Sequence, residues 1–371
     1  MKVLVLVSRF DRGGAETLEC ELAIHLNKIG IESHLAGQFD ENHFEGNRFA
    51  IKHRERGLEN RIFWLHFNKG IWFGVINLIK LIKKEKYDVI IAHNANLNIV
   101  VGISSLFSKF KHICAFHEYL SKKSYSFLHF HIWRFFVKRA AHSYAISNFT
   151  RENIIDTFNL DNNKITTIYN SITFKDEIAL KVSIREKLGL NPEIKIIVCA
   201  GRMNFLKGFD LDIMIFNRLK TPAALIFVGD YTTSEEEEYL KQLQLLAQES
   251  PRKEQIFFLG FRQDIYSIFN ESDLFLHLTR KEGFGLVLLE AIYTKLPVVS
   301  SNVGGIPEVL KTSPYETFDI ADEKKIIEKI DFYLNMSVEE KSKMVASAFK
   351  SLDYFTHERR AKNIKELMES L

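Results

Sequence analysis

A chain of 371 residues and 43.1 kDa has room for two core-bearing domains, and its 46% apolar and 26% charged content excludes disordered, collagenous and disulfide-scaffold classes. The net charge of +3 hides an asymmetry: residues 1–175 hold 24 Lys and Arg against 16 Asp and Glu, a net of +8, and the remainder 26 against 31, a net of −5. Cys20, Cys114 and Cys199 lack CxxC spacing, no run reaches about 18 uncharged apolar residues, and Met1-Lys2 enters an apolar segment without a cleavable leader, so a zinc site and a membrane span are excluded and a reducing, cytoplasmic setting is expected.

In chain order, Lys2–Val7 is an apolar run short enough for a buried parallel strand. Thr17–Ile29 has helical apolar spacing and is followed by Gly30 at the position of a helix-ending glycine. Ile31–Leu35 reads as a strand and Ile71–Lys86 as an amphipathic helix, and Asp88–Ala92, Ile113–Phe116, Ser143–Ile146 and Ile165–Tyr169 read as further strands. Residues 171–193 are polar, carry Asn191-Pro192 and suit a linker. The alternation then restarts with strands Ile194–Ala200, Ala224–Val228, Ile256–Leu259, Leu274–Leu278 and Pro297–Ser300, each ending in a polar or glycine turn. Glu235–Glu238 suits a solvated helix start, and Glu323–Leu371 reads as charged helix packed on the outside. The pattern predicts an α/β protein of two doubly wound parallel-sheet domains, in which ligands bind outside the carboxyl ends of strands.

The basic excess falls in two windows. Lys52–Lys86 mixes nine basic and three acidic residues with Phe63, Trp64, Phe67, Trp72 and Phe73; Ile103–Ala140 mixes seven basic residues and one acid with Tyr119, Tyr125, Phe127, Phe130, Trp133, Phe135 and Phe136. Cations among aromatics suit an anionic membrane surface or an amphiphilic substrate, and a solvated basic face would read the same way. No nucleic-acid module is recognised, so nucleic acid is not an expected partner.

Four loops at strand ends carry the chemistry. Gly13 and Gly14, after the first strand, let backbone N–H groups approach an anion at a helix start, although a plain tight turn would use the same residues. Their spacing is not the GxGxxG of a dinucleotide site, which counts against a nicotinamide dehydrogenase. Gly201-Arg202 and, five residues later, Lys207-Gly208 put two cations beside a strand-to-helix turn, an arrangement suited to a diphosphate. Glu282-Gly283-Phe284-Gly285 opens an apolar helix in which Glu290 stands between Leu289 and Ala291, odd for an inward face unless it grips hydroxyls. Gly304-Gly305 through Glu308 gives a further glycine pair before a helix, and Gly229-Asp230 ends another strand.

Gly13-Gly14-Ala15-Glu16, Gly201-Arg202 with Lys207-Gly208, and Glu282-Gly283-Phe284-Gly285 with Glu290 and Pro297 together resemble glycosyltransferase family 4, of GT-B fold. Phe116-His117-Glu118, Tyr169-Asn170-Ser171 and Gly304-Gly305 with Glu308 fit the same pattern, which runs from residue 1 to about 310. The resemblance implies two Rossmann-like domains facing a central cleft: an acceptor domain over 1–172, joined by a returning helix at about 355–371, and a donor domain over 173–354. It implies glycosyl transfer from a nucleotide-sugar, UDP-linked by preference, with retention and without a metal or other cofactor. Arg202 and Lys207 would hold the diphosphate, Glu290 the ribose, and Glu282 with the backbone of Gly283, Phe284 and Gly285 the donor sugar. Gly13, Gly14, Gly201, Gly229 and Asp230 would line the nucleotide site, and His117 would sit beside the transferred sugar. The expected acceptor, a growing cell-surface glycan such as lipopolysaccharide, capsule or a lipid-linked oligosaccharide reached at the inner face of the cell membrane, rests on the basic-aromatic windows alone, and a soluble sugar or protein would be read the same way if that face is solvated.

Lys295 and Ser171 depart from the family pattern, which often has glycine at both places, and bear on loop geometry and donor preference. Asp210-Leu211-Asp212 imitates a metal-binding D-x-D but falls in the helix after Gly208, where acids suit a helix start. Alternatives are a GDP-mannose-dependent mannosyltransferase of the same family, an epimerase of related fold, which would need acid/base carboxylates these motifs do not supply, and a non-catalytic transferase-like binding subunit.

Overall fold

A computed structural model describes residues 1–8, 14–38, 58, 61–172 and 183–371. The chain divides into two compact units, Met1–Thr173 with Phe355–Leu371, and Phe174–Tyr354.

The first unit is built on seven parallel strands: β1 (Lys2–Val7), β2 (Glu32–Gly37), β3 (Ile62–Trp64), β4 (Val89–Ala92), β5 (Lys111–Phe116), β6 (His142–Ala145) and β7 (Ile165–Thr167), in the spatial order 3-2-1-4-5-6-7. Val3–Val7 and Val89–Ala92 are buried throughout, as a parallel sheet covered on both faces requires. Helices α1 (Gly14–Lys28), α2 (Ile71–Glu85), α3 (Ala95–Ser104), α4 (Phe127–Arg139) and α5 (Asn148–Phe158) make the crossovers. In α2 the buried Val75, Leu78 and Ile82 recur at three and seven residues, a stripe facing the sheet.

The second unit repeats the plan. After a short α6 (Ile184–Lys187) come β8 (Lys195–Ala200), α7 (Phe209–Phe216), β9 (Ala223–Val228), α8 (Ser234–Glu249), β10 (Ile256–Phe258), α9 (Ile265–Asn270), β11 (Leu274–His277), α10 (Leu286–Tyr293), β12 (Val298–Ser301), α11 (Ile306–Leu310) and β13 (Thr317–Phe318). Their sheet order is 10-9-8-11-12-13, again parallel. Both sheets reverse direction of winding beside their first strand, between β1 and β4 and between β8 and β11. That is where crevices open at strand ends.

Three expectations need correction. β3 and β13 escape the sequence reading because edge strands of three and two residues show no periodicity. The 171–193 linker is narrower than expected: Ser171 and Ile172 are buried, and Ser183 Oγ and Ile184 N–H donate to Glu271 Oε2 at 2.5 and 2.9 Å, anchoring α6. Residues 323–371 do not all pack outside, as their charge suggested; the exception is the helix at about 355–371 that the family resemblance brings back to the first domain. They form α12 (Glu323–Leu334), α13 (Val338–Lys350) and α14 (His357–Glu369), and α14 sinks Arg360, Ala361, Ile364, Leu367 and Met368 into the first unit, packing on α1. Its charged outward face hides that stripe from composition alone.

Candidate functional site

In the second unit the loops after β8, β9 and β11 meet at the winding reversal. Gly229 stands so near Gly201 that a Cβ on it would lie 1.8 Å from the Gly201 carbonyl oxygen, so only glycine fits. Thr279 Oγ1 and the Arg280 N–H both donate to the Leu206 carbonyl, at 2.6 and 2.7 Å, tying the loop after β11 to the short turn Phe205–Lys207. Consequently Lys207 Nζ lies 2.5 Å from Glu282 Oε2, and Nε2 of His277, the last residue of β11 and 1% exposed, lies 3.5 Å from the same oxygen. The Gly283 N–H donates to Glu282 Oε1 at 3.1 Å, and the Gly305 N–H to the Glu282 carbonyl, also at 3.1 Å. Burial opposes ionisation of Glu282, but Lys207 and His277 outweigh it and hold its carboxyl well below the usual range. Burial likewise lowers the His277 pKa, with Glu282 opposing and Lys207 reinforcing the shift.

This is a cation and a carboxylate satisfying each other at the mouth of a parallel sheet. Lys207 is placed to take an anionic ligand, and Glu282 can then accept hydrogen bonds from hydroxyls. Gly285, at φ +92°, opens α10, with Phe284 buried before it and Glu290 half-buried within it. Arg202 stands apart from the pair: its side chain is 65% exposed and its Nη1 lies 3.7 Å from Glu236 Oε1. Glu236 is held by the N–H and hydroxyl of Thr232 at 2.7 and 2.8 Å. Asp230 is exposed, its Oδ1 accepting from the Tyr231 N–H. The D-x-D pair has other duties: Asp210 takes both Arg280 terminal nitrogens and the Tyr239 hydroxyl, while Asp212 is wholly buried, which pushes its pKa well up. Among the described residues no acidic, His and Cys cluster could hold a metal.

In the first unit Gly14 opens α1, and Gly13 lies outside the described residues. His117 follows β5, with its side chain 8% exposed and Nε2 3.1 Å from Glu19 Oε1. Glu19 is fully buried in α1, where Arg360 of α14 pairs with it and the Tyr144 hydroxyl donates to it at 3.3 Å. Burial opposes ionisation of Glu19, but Arg360 and then His117 hold its carboxyl well below the usual range. His93, just after β4, stacks edge-on against His117 at 5.5 Å between centroids, and burial foremost, then His117, lowers its pKa to about 4. Sequence reasoning singled out His117 but missed Glu19, His93, Arg360 and His277. His93 and His277 stand at the end of and inside apolar runs, the one signal available, whereas Glu19 and Arg360 lie among other polar residues and give none.

A different face of the first unit is apolar and basic. Helix α3 packs against both α2 and α4, and these expose Trp72, Phe73 and Ile76 from α2, Leu106 and Phe107 beyond α3, and Phe127, Leu128, Ile132 and Phe135 from α4. Exposed Lys80, Lys83, Lys84, Lys109, Lys138 and Arg139 lie along the same elements, with Arg139 over the Phe135 ring at 5.4 Å. Among the described residues no helix is long and apolar enough to cross a membrane.

Comparison with known proteins matches residues 12–175 to the family described as Glycosyltransferase Family 4 and residues 181–351 to the family described as Glycosyl transferases group 1. The chain is 31% identical over 156 residues to N-acetyl-alpha-D-glucosaminyl L-malate synthase of Bacillus anthracis, covering 40% of this chain and 39% of that protein. It is 28% identical over 246 residues to UDP-Gal:alpha-D-GlcNAc-diphosphoundecaprenol alpha-1,3-galactosyltransferase of Escherichia coli, covering 62% of each. The matches thus span roughly two to three fifths of these curated relatives. The crystal structure of Anabaena HepE in complex with UDP and glucose superposes over the whole of both chains with a TM-score of 0.81 at 21% identity, a likeness of fold. By its two family matches and its paired parallel-sheet units, this chain belongs to glycosyltransferase family 4, with the GT-B fold.

Proposed function

We propose that this protein transfers a glycosyl group from a UDP-sugar, with retention at the anomeric carbon and without a metal, to a hydroxyl of a growing cell-surface glycan. The observation that carries the reading is the Lys207–Glu282 pair at the winding reversal of the second sheet. Lys207 releases Glu282 to take the donor's diphosphate and stabilises the leaving phosphate as the glycosidic bond opens, and Glu282 turns to the sugar hydroxyls. Arg202, exposed and loosely paired at 3.7 Å, swings from Glu236 to the same diphosphate, with Gly201, Gly229 and Asp230 beside the nucleotide and Glu290 on the ribose. The leaving phosphate accepts the acceptor proton on the same face, so catalysis consists of placement and electrostatics.

UDP as carrier is supported by the Escherichia coli relative, whose name includes UDP-Gal, and by the UDP bound to HepE. A lipid-linked glycan acceptor is supported by the diphosphoundecaprenol that the same relative's name carries. The exposed apolar-basic face over α2, α3 and α4 supports contact with anionic lipid at the inner face of the cell membrane.

Calorimetric titration with UDP, GDP, ADP and CMP and their sugars, with and without Mg²⁺, tests the reading. Selective, metal-independent binding of UDP species that is lost in Lys207→Ala is expected. Preference for GDP-mannose favours the mannosyltransferase alternative, and binding to none of them points to a binding subunit or to a donor site formed only with acceptor present. Arg202→Ala is expected to lower turnover about 10²- to 10³-fold.

A further inference from the structure

The proposed reaction gives tasks to Lys207 and Glu282 and none to His277, the imidazole buried beside them in the second unit. Its Nε2 faces Glu282 Oε2 at 3.5 Å without making a hydrogen bond, and Lys207 Nζ already holds that oxygen at 2.5 Å. The histidine itself is fixed. The Ser300 hydroxyl donates to its carbonyl at 3.1 Å, and its ring stacks on Phe275 at 5.8 Å between centroids. Lys207, in contrast, ends a long flexible side chain on a short turn.

While Lys207 rests on Glu282 the charges balance, and burial foremost, then Lys207, disfavours the imidazolium. Once Lys207 turns to a diphosphate, the cation that repels a proton from the ring is gone. A carboxylate only 15% exposed then loses the charge that does most to keep it ionised. A buried charge left without its partner is costly. The imidazole can supply the replacement by taking up a proton, because either neutral tautomer gives the same imidazolium with hydrogen on both nitrogens, and Nε2–H then donates to Glu282 Oε2. Lys207 from the turn after β8 and Glu282 from the loop after β11 are the charged groups that act on the ring, and β12 brings the neutral Ser300 and Ser301 to its backbone. Glu236 gives up Arg202 in the same event, yet it keeps the Thr232 N–H and hydroxyl and the Asn204 amide, so it needs no proton.

We propose that His277 is a positioning residue that takes up a proton from solvent, through the part-exposed Glu282 carboxyl, as the donor's diphosphate draws Lys207 away, and as imidazolium holds Glu282 ionised and in place for the sugar hydroxyls. This rests on the donor reading, since it requires Lys207 to move to the diphosphate.

The test is calorimetric titration of the full chain with UDP-glucose, whose diphosphate has no proton to lose near neutrality. It is run near pH 6.5, the ordinary midpoint of an imidazole, in Pipes and in Bis-Tris, which differ in ionisation enthalpy. The difference in heat is expected to show uptake of about half to one proton per ligand bound, and affinity is expected to rise roughly threefold to tenfold from about pH 7.5 to about 6. In His277→Asn, checked for a cooperative melt, both the uptake and the pH dependence are expected to vanish. Binding to the native chain without proton uptake overturns the proposal and needs no variant to show it; uptake that persists in folded His277→Asn overturns it as well. Failure of the native chain to bind UDP-glucose, or binding unchanged in Lys207→Ala, defeats the donor reading and takes this role of His277 with it.

Discussion

At the scale of the residue, a buried carboxylate keeps its charge only where cations or N–H donors offset desolvation, and Glu282 depends on Lys207 for this. Lys207→Met is expected to raise the Glu282 pKa and to lower turnover about 10²- to 10³-fold, with nucleotide affinity falling in the same titration. Gly304, at φ +60°, passes so close that a Cβ would meet the Glu282 carbonyl oxygen at 1.8 Å. Gly304→Ala is accordingly expected to cost about 1–3 kcal/mol of backbone strain and to displace Glu282, read as a lower urea midpoint together with weaker donor binding. The sequence exposes Lys207, Glu282 and their glycines because short spacing at a strand end ties them to one turn. Glu19, His93 and Arg360 stay hidden because their partners lie far along the chain, and Glu19 reads locally as one of several polar positions in its helix; His277 stays hidden inside an apolar strand, although Glu282 follows it by five residues. Arg202 shows the converse: its spacing is recognisable, yet its side chain rests on Glu236 rather than beside Lys207.

At the scale of the element, the strands were legible as apolar runs because burial on both faces removes alternation, and helix ends were marked by residues such as Gly30. What could not be read is the depth of α14. Thr356 caps it, accepting from the Arg359 N–H at 3.2 Å, and one stripe enters the core while the rest carries charge. Arg360→Met alone strands a buried carboxylate and is expected to destabilise the first unit by about 3–5 kcal/mol, whereas the Glu19→Leu/Arg360→Met pair recovers most of that loss. Denaturant melts of the three chains check this, and equal losses in the single and double variants would sink the argument. Helices α2 and α4 make a different prediction through their exposed Trp72, Phe73, Phe127 and Leu128. Binding to vesicles containing phosphatidylserine is expected to weaken as salt rises beyond the point where the Debye length is about 10 Å, and to weaken further in Trp72→Ser/Phe127→Ser.

At the scale of the whole molecule, three imidazoles of the first unit, His93, His112 and His357, and one of the second, His277, weigh on the response to acid. Burial, the first cause for each, lowers the pKa of His93 and His357 to about 4 and of His112 to about 3, against an ordinary 6.5. As pH falls through 6.5 the unfolded chain takes up these protons first, so stability present above that point is lost progressively down to about pH 4 for His93 and His357 and about pH 3 for His112. Each costs about 2 kcal/mol by pH 5. Glu19 and Glu282, with lowered carboxyl pKa values, add a second loss below about pH 4.5. Three of these imidazoles belong to the first unit against His277 alone in the second, so calorimetry between pH 7 and 5 is expected to show the first unit's transition falling more than that of the second. The same division has a temporal side. The stripe that completes the first core, and the guanidinium that neutralises Glu19, are encoded after every residue of the second unit. During synthesis the ribosome therefore delivers a second half able to close on itself while the earlier half still waits for its final helix. A stalled or truncated nascent chain would hold its fault at the opposite end from where translation stopped.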